Sequence, residues 1–328
     1  MFRDKKEAAF IKLSKTKIRR LKEKNMKKFL TLLVAAILCF TCVSLFACNK
    51  PKSEPVVKVL EVELTNEQYA IAVNKSNTTL LNEINAAMRQ LKQDGTYETI
   101  YAKYTSDSYA ENEGSYAMHV LTGDDISLEN LNPATHFAIA TSADFPPFEN
   151  KLGAKYVGLD IEFANEIAIM MGKTLVVYNM SFDAAEIFPQ TNPNVVAMAG
   201  LTVNEDRLSK MNFTDSYIDA TQVLIVKIND TTFDEILNSQ VTASEKAEQI
   251  IAKINSLNAP KIGAQNGTTG YNFAKGNEAF GYAGFDADTI VRGYTTGTLA
   301  VQDLANGNID MVILDKLPAQ QISRNINK

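Results

Sequence analysis

The sequence predicts an α/β fold organised as two domains, and three observations lead to that prediction. From residue 137 onward, segments with the pattern of strands alternate with segments with the pattern of helices, which is typical of α/β units around largely parallel sheets. The length of 328 residues suits about two domains. With 45% hydrophobic and 22% charged residues, the chain can build a core, which excludes wholesale disorder.

Charge is distributed unevenly along the chain. Residues 1–28 contain 12 Lys and Arg against 3 Asp and Glu, whereas residues 29–47 contain no charged side chain. Residues 48–328 contain 21 basic and 35 acidic residues, a net charge of −14, so we expect no nucleic-acid partner. All three cysteines lie within the first 48 residues, which excludes a disulfide scaffold or a cysteine-ligated metal site in the remainder.

Residues 1–47 are predicted to be a basic preface followed by a secretory signal, because the basic Met26-Lys27-Lys28 precedes an apolar stretch that ends in small residues. The end of this stretch, Leu45-Phe46-Ala47-Cys48, resembles a bacterial lipoprotein lipobox. That resemblance implies acylation of Cys48 and a lipid anchor on the outer face of the cell membrane, or on its periplasmic face. Residues 48–54 would then be a tether.

Two alternatives stay open for this end of the chain. Nineteen uncharged, mostly apolar residues are just enough to span a membrane, so the stretch could be an uncleaved anchor. Met26, rather than Met1, could be the initiator.

The next segment carries patterns for two strands, at residues 56–62 and 69–73, and then a helix capped at Asn77. The helix has one apolar face with spacings of four, four and three, and Gly95 is expected to end it. A short helix at 96–104 follows. The apolar face consists of Leu80, Ile84, Met88 and Leu91.

Residues 105–133 contain six carboxylates and no Lys or Arg, and they predict a surface linker. The alternating region then begins. Its predicted strands are at 137–140, 175–178, 195–199, 222–226, 261–265 and 311–314, and its predicted helices follow an Asp160 cap or lie at 244–257 and 298–305.

No arrangement typical of catalysis emerges, so we expect neither an enzyme nor a cofactor nor a bound metal. His119 and His136 both lie in or beside the linker, which argues against a histidine-based site. The turn Gly267-Thr268-Thr269-Gly270 follows a predicted strand, and such a turn exposes backbone N–H groups that favour an anion such as a carboxylate.

A set of motifs resembles the polar-amino-acid substrate-binding proteins of ABC importers, which have the two-lobed type II periplasmic-binding fold with a hinge. The motifs follow that family's order and spacing. They are Thr141-Ser142-Ala143-Asp144-Phe145-Pro146-Pro147-Phe148-Glu149, Tyr156-Val157-Gly158-Leu159-Asp160-Ile161, Met180-Ser181-Phe182-Asp183, Ala199-Gly200-Leu201-Thr202-Val203-Asn204-Glu205-Asp206-Arg207, Phe213-Thr214-Asp215-Ser216-Tyr217, Gly267-Thr268-Thr269-Gly270 and Leu314-Asp315-Lys316-Leu317-Pro318-Ala319.

The resemblance implies which residues hold the backbone of an L-amino acid. Arg207 would bind the α-carboxylate through two parallel hydrogen bonds, which the planar guanidinium can make and Lys cannot. Backbone N–H groups of Thr202 and Thr269 would complete that subsite. Asp315 would pair with the α-ammonium, helped by the carbonyl of Gly200.

The resemblance also implies which residues contact the ligand side chain. Phe145 and Phe182 would sandwich it, as an apolar wall with a few directed polar groups suits a small ligand. Ser142, Gln265 and Leu314 stand where some relatives have Asp, a basic residue and His. The far end of the pocket therefore looks neutral, and we expect a ligand with a neutral polar or modest-sized side chain, with a cationic one as the alternative.

The front of the chain resembles the tail of the same family, in Glu67-Gln68-Tyr69-Ala70-Ile71-Ala72-Val73 and in Lys92-Gln93-Asp94-Gly95-Thr96-Tyr97. The resemblance therefore implies a circularly permuted chain order, which is tolerable when surface termini lie close together. Lobe 1 would comprise residues 63–104 and 134–225, lobe 2 would comprise residues 55–62 and 226–328, residues 105–133 would join the old termini, and the hinge crossings would lie at 62–69 and 222–226.

The function that this resemblance implies is a monomeric amino-acid receptor of the cell envelope that docks on an ABC transporter permease after hinge closure. Alternatives are an enzyme similar to cyclohexadienyl dehydratases, a sensor or signalling lipoprotein, and a paralogue that binds nothing. Asp315 argues against the enzyme, because a keto acid has no ammonium group. Exchange of the permuted halves between two chains is the alternative to a monomer.

Overall fold

The computed structural model describes residues Glu54–Lys328, and the predictions for the signal, Cys48 and most of the tether lie outside these residues. No helix within residues 54–328 is long and apolar enough to cross a membrane. The strands of the described residues are β1 Val57–Leu60, β2 Glu67–Tyr69, β3 Ala72–Asn74, β4 Leu121–Thr122, β5 His136–Thr141, β6 Asp144–Phe145, β7 Glu149–Leu152, β8 Lys155–Val157, β9 Thr174–Asn179, β10 Val195–Ala197, β11 Met211–Phe213, β12 Ile218–Ala220, β13 Gln222–Lys227, β14 Lys261–Gln265, β15 Ile290–Tyr294 and β16 Met311–Asp315.

The α-helices of residues 54–328 follow the same order. They are α1 Thr78–Gln93, α2 Thr96–Thr105, α3 Tyr109–Asn112, α4 Leu159–Met170, α5 Phe182–Thr191, α6 Glu205–Lys210, α7 Asp234–Asn238, α8 Ala243–Asn255, α9 Thr269–Lys275, α10 Gly297–Asn306 and α11 Lys316–Ile326.

The first lobe is built on a six-stranded sheet with the order β11-β3-β10-β5-β9-β4. Its strands β10, β5, β9 and β4 are parallel, whereas β3 and β11 are antiparallel to their neighbours. The central strands β5 and β10 are buried almost throughout, as parallel strands covered on both faces should be. Helices α4 and α5 pack on the sheet.

The second lobe is built on a five-stranded sheet with the order β1-β13-β16-β14-β15. The strands β16, β14 and β15 are parallel, and β13 and β1 add an antiparallel edge. Helices α9, α10 and α11 pack against these strands. The two lobes together confirm the predicted mixed α/β fold.

Two chain segments cross between the lobes side by side. The N–H of Leu64 donates to the carbonyl of Gln222, and the N–H of Gln222 donates to Oγ1 of Thr65 at 2.8 Å. The sequence placed residues up to 225 in the first lobe. In the structure all of β13 pairs with β16, starting with Gln222 opposite Asp315, so this crossing lies before Gln222.

The segment that resembles the family's tail divides between both sheets. β1 pairs with β13 of the second lobe, and Asn327 near the chain end hydrogen bonds to the backbone of Val57. β3 lies between β10 and β11 in the first lobe. The single strand predicted at 69–73 is interrupted, because Ala70 and Ile71 donate their N–H groups to Leu201 and Thr214 outside any ladder.

Helix α1 has the cap and the buried face that its sequence predicts. The side chain of Asn77 accepts from the N–H of Leu80, and Gly95 follows the helix with φ +82°, a conformation that favours glycine. Ile84, Met88 and Leu91 are buried, and the helix packs against α2, α4 and β3 of the first lobe.

Two further expectations from the sequence are wrong. Residues 105–133 are not only a surface linker, because Tyr109 is buried against Tyr104 and β4 adds an edge strand to the six-stranded sheet. Asp160 does not cap α4, because Gly158 occupies the cap position and Asp160 is buried within the first turn. Its carboxylate accepts instead from the N–H of Gly200 and the hydroxyl of Tyr217.

Candidate ligand-binding site

A pocket between the two lobes brings together the nine residues that the resemblance assigned to direct ligand contacts. Leu314, which was expected at the far end of the pocket, is buried in the hydrophobic core instead and does not line it. Its atoms surround about 300 Å³ of free space, which includes the opening to solvent. The lining residues are Ser142, Phe145, Phe182, Gly200, Thr202, Arg207, Gln265, Thr268, Thr269 and Asp315.

The sheet topology explains why residues so distant in sequence meet here. Ser142 directly follows β5, Gln265 ends β14 and Asp315 ends β16, so these residues lie at carboxyl ends of strands from both sheets. Ligands in open α/β sheets bind outside those ends. The architecture therefore concentrates loop side chains and helix starts in one cleft.

Arg207 is 1% exposed and is held from several sides. Its Nε donates to Glu186 at 3.0 Å, Nη1 to the carbonyl of Thr202 at 2.8 Å, and Nη2 to the carbonyl of Gly267, in the other lobe, at 3.4 Å. A guanidinium has five N–H donors, so one on each Nη atom stays available for a ligand. That arrangement suits a carboxylate with two oxygens.

Aromatic rings cover the same guanidinium. Its central carbon lies 5.7 Å from the ring centre of Phe182 and 5.3 Å from that of Phe280. Such cation–π contacts stabilise a charge that is removed from water. Phe280 comes from a short 3₁₀ segment of the second lobe, Glu278–Phe280, and sequence reasoning missed it because no motif contains it.

The resemblance assigned two backbone N–H groups to the carboxylate subsite, those of Thr202 and Thr269, and both residues line the pocket. The N–H groups of Thr202 and Thr269 make no hydrogen bond within residues 54–328. Thr269 begins α9, where first-turn N–H groups have no partner inside the helix. Thr268 caps that helix and also lines the pocket, although the sequence placed it in the turn motif without a binding role.

Asp315 lies opposite, on the second lobe. Its Oδ1 accepts from the hydroxyl of Tyr69 at 2.5 Å and from Nε2 of Gln222 at 2.8 Å. Burial and the nearby Glu67 carboxylate raise the pKa of Asp315. Although it precedes α11, its side chain makes no capping bond, so it is free to face the pocket.

Glu67 is a buried carboxylate that the sequence did not assign to the site. It accepts from Oγ1 of Thr202 at 2.7 Å in the first lobe, and from Nε2 of Gln222 at 3.0 Å beside the crossing. Its position within the tail-like motif was visible in the sequence. Its contact with Gln222, 155 residues away, was not.

Gly200 is a glycine for a steric reason. Its φ is +56°, and a Cβ there would lie 2.9 Å from Cε1 of Phe145 and 3.2 Å from Cε2 of Tyr69. Its N–H donates to Oδ2 of Asp160 at 3.0 Å. The close approach lets the Gly200 backbone form part of the pocket wall.

Three polar side chains complete the lining. Oγ of Ser142 donates to Oδ1 of Asp144 at 3.3 Å, and Nε2 of Gln265 donates to the carbonyl of Thr295 at 3.3 Å. Oε1 of Gln265 and Oγ1 of Thr269 are buried without a hydrogen-bond partner in the described residues. No group of three or more metal-ligating side chains occurs in residues 54–328.

Comparison with known proteins now decides the family. The model of the bacterial extracellular solute-binding proteins, family 3, matches residues 3–107 and 137–281, which is more than half of the chain. The chain is a family 3 solute-binding protein.

Several individual proteins resemble this family 3 chain. A probable histidine-binding protein of Neisseria gonorrhoeae is 27% identical over 197 residues, covering 59% of this chain and 63% of that protein. The arginine-binding extracellular protein ArtP of Bacillus subtilis is 30% identical over 89 residues, which cover 27% of this chain and 35% of ArtP. The chain thus spans less than two thirds of the curated relatives it matches.

Two solved structures also resemble this chain in part. The arginine-bound, truncated ArgBP from T. maritima is 27% identical, with a TM-score of 0.45 over 58% of this chain and 79% of ArgBP. A mutant of ArgBP is 25% identical, with a TM-score of 0.47 over 62% of this chain and 78% of the mutant.

Proposed function

We propose that this chain is an extracytoplasmic receptor that binds one L-amino acid between its lobes and delivers it to an ABC importer. One observation carries the proposal. Arg207 and Asp315 come from different lobes yet line the same pocket, and their remaining hydrogen-bonding capacity suits a carboxylate and an ammonium group. The family match and the relatives named for binding histidine and arginine support an amino acid as the ligand.

The lobes would close on the ligand by rotation at the two adjacent crossings. Contacts across the cleft are already made, since Nη2 of Arg207 reaches the carbonyl of Gly267 and Tyr69 donates to Asp315. A ligand that bridges Arg207 and Asp315 would add charge-assisted contacts to both lobes, so its binding favours the closed arrangement. That arrangement would be the one recognised by the permease.

A thermal-shift panel of all twenty L-amino acids, on residues 49–328, tests the proposal. At about 100 times its Kd a ligand stabilises the native state by about 2.7 kcal/mol. That corresponds to a rise in melting temperature of about 5 °C or more. Arg207→Ala should abolish the shift. A flat panel with the unaltered protein at millimolar ligand contradicts the proposed function.

For the cell envelope, we propose anchoring through an acylated Cys48. The Leu45-Phe46-Ala47-Cys48 sequence and the match to an extracellular family support this location. Mass spectrometry of the mature N-terminus should find a chain that begins at a lipid-modified Cys48, and Cys48→Ser should release the protein from membranes or leave it unprocessed. An intact residue 1 in the mature protein contradicts the proposal.

For the chain order, we propose a circular permutation of the family's arrangement. The family match is interrupted at residues 108–136, and β1 lies beside the chain end while β3 lies inside the first lobe. Without residues 54–114, the fragment 115–328 should fail to fold cooperatively, because the apolar face of α1 and strand β3 would be missing. Folding and ligand binding by that fragment contradict the permutation.

A further inference from the structure

Asp144 is a half-buried carboxylate that does not itself line the pocket but contacts a residue that does. It lies on β6, which packs against α10 of the second lobe. Oγ of Ser142, a pocket residue, is 3.3 Å from its Oδ1. Asp144 therefore lies directly behind the pocket wall and is connected to it by a hydrogen bond from Ser142.

Asp144 has no cation as a partner in the described residues. It makes no salt bridge, and the ammonium of Lys151, on the neighbouring strand β7, lies over the ring of Tyr156 instead, 5.6 Å from its centre. Burial raises the pKa of Asp144 to about 6, opposed only by the Ser142 hydroxyl. A partly buried carboxylate that lacks a cationic partner is stabilised when a ligand supplies one.

Several polar atoms of the pocket lining can accept a hydrogen bond from a ligand. The hydroxyl hydrogen of Ser142 is used on Asp144, so the Ser142 oxygen offers the pocket lone pairs. Nε2 of Gln265 is used on Thr295, which leaves its buried Oε1 without a partner, and Gln265 is only 1% exposed. Oγ1 of Thr269 is also buried and unpartnered. These oxygens therefore need hydrogen-bond donors, which the N–H groups of a ligand can supply.

The charges of the pocket point the same way. Glu186 already forms an ion pair with Arg207. Two further carboxyl groups, those of Asp315 and Glu67, lie close to each other opposite Arg207. An amino acid whose carboxylate meets Arg207 and whose ammonium meets Asp315 leaves Asp144 uncompensated. A side chain with its own positive charge and several N–H groups would satisfy Asp144, Ser142 and Gln265 together.

We propose that Asp144, acting with Ser142, is a specificity-determining residue that makes the pocket select amino acids with a cationic, N–H-rich side chain. This inference rests on the proposed function. It replaces the neutral side chain expected from Ser142, Gln265 and Leu314, because the charge lies two residues beyond Ser142.

Calorimetry with matched ligands tests the selection. L-Arginine and L-citrulline have nearly the same shape, but citrulline replaces the charged guanidinium by a neutral urea group. Arginine should bind at least about tenfold more tightly, which is about 1.4 kcal/mol. Asp144→Asn should reduce the ratio to within about threefold, about 0.7 kcal/mol, and Asp144→Glu should retain most of it. Asp124→Asn removes an exposed carboxylate from the same lobe and should leave the ratio unchanged.

The possible results separate the two proposals. If no amino acid of the panel binds the unaltered protein, the proposed function itself fails. If amino acids bind but the tightest is neutral or acidic, or if Asp144→Asn folds and keeps the full preference for the cationic ligand, the receptor function stands and the role of Asp144 is overturned. Melting curves of each variant establish that it is folded.

Discussion

Two buried pairs of carboxyl groups lie near the cleft, and their surroundings differ. In the pair Glu67 and Asp315, Asp315 accepts from Tyr69 and Gln222, and Glu67 accepts from Thr202 and Gln222. Hydrogen bonds from neutral donors stabilise a carboxylate without neutralising its negative charge. This pair is therefore prepared to receive a cation from the cleft.

The pair Glu149 and Asp160 lies deeper in the first lobe and has fewer donors. Oδ2 of Asp160 accepts from the N–H of Gly200 and from the hydroxyl of Tyr217, but neither oxygen of Glu149 has a donor among residues 54–328. Burial and the adjacent Asp160 raise the pKa of Glu149 well above its usual range. A proton shared between the two groups gives the unpartnered oxygens of Glu149 a hydrogen bond. We therefore call Glu149 and Asp160 the structural pair, and Glu67 and Asp315, which can receive a cation, the receptive pair.

The largest expected effect comes from the receptive pair. Asp315→Asn should weaken the best amino-acid ligand by about 100-fold or more, about 2.7 kcal/mol, because the ligand ammonium loses its charged partner. Calorimetry measures the change. Asp286→Asn, an exposed position of the same lobe, serves as the control. Equal affinity of Asp315→Asn and the unaltered protein would show that Asp315 does not hold the ligand.

The receptive pair should also make affinity depend on pH. Because the pKa of Asp315 is raised in the free protein, and a bound ammonium stabilises the carboxylate, ligand binding releases a proton. Affinity should therefore fall on acidification, by about tenfold or more between about pH 8 and about pH 5. Titrations across that range measure the slope. Retention of the whole slope in Asp315→Asn would assign it to another group.

These two pairs also mark how far sequence reasoning reaches. The nine predicted site residues, from Ser142 to Asp315, are all in the pocket, because each lies in a local motif that sets its backbone and neighbours. Strand β14 was predicted with its observed bounds, because a polar residue stands at each end of its apolar stretch. The resemblance carried by these local motifs thus predicted residues that line one pocket.

What the sequence did not predict depends on contacts between distant segments. Phe280 reaches Arg207 and Glu67 reaches Gln222 only after the two lobes have packed. Glu149 and Asp160 look like surface carboxylates until their burial is known. Tyr109 sits in an acidic, polar stretch, and its burial against Tyr104 has no local signature.

The structural pair should affect folding more than binding. Asp160→Ala removes the acceptor of both the Gly200 N–H and the Tyr217 hydroxyl, leaving two buried donors unsatisfied. Unfolding free energy should fall by about 2 kcal/mol or more, measured by denaturant titration. Asp124→Ala, at an exposed site, is the control. A stability within experimental error of the unaltered protein would mean that the pair has no structural role.

The smallest effect, and the sharpest distinction between the pairs, is expected from Glu149→Gln. The amide still offers an N–H donor to Asp160 but cannot titrate. In the unaltered protein the raised pKa of Glu149 means that the native state holds a proton that the unfolded chain releases. Stability from this group is therefore complete below about pH 4, the ordinary range of Glu, and is lost as pH rises toward the folded pKa.

It follows that Glu149→Gln should gain stability relative to the unaltered protein as pH rises, by about 1 kcal/mol between about pH 5 and about pH 7. Part of the slope stays with Asp160, whose own pKa burial raises to about 6. Urea titrations at several pH values measure the difference, with exposed Glu129→Gln as the matched control. A difference that is flat, or that moves against the variant at higher pH, would mean that Glu149 is ionised in the folded protein, and the contrast between the two pairs would then fail.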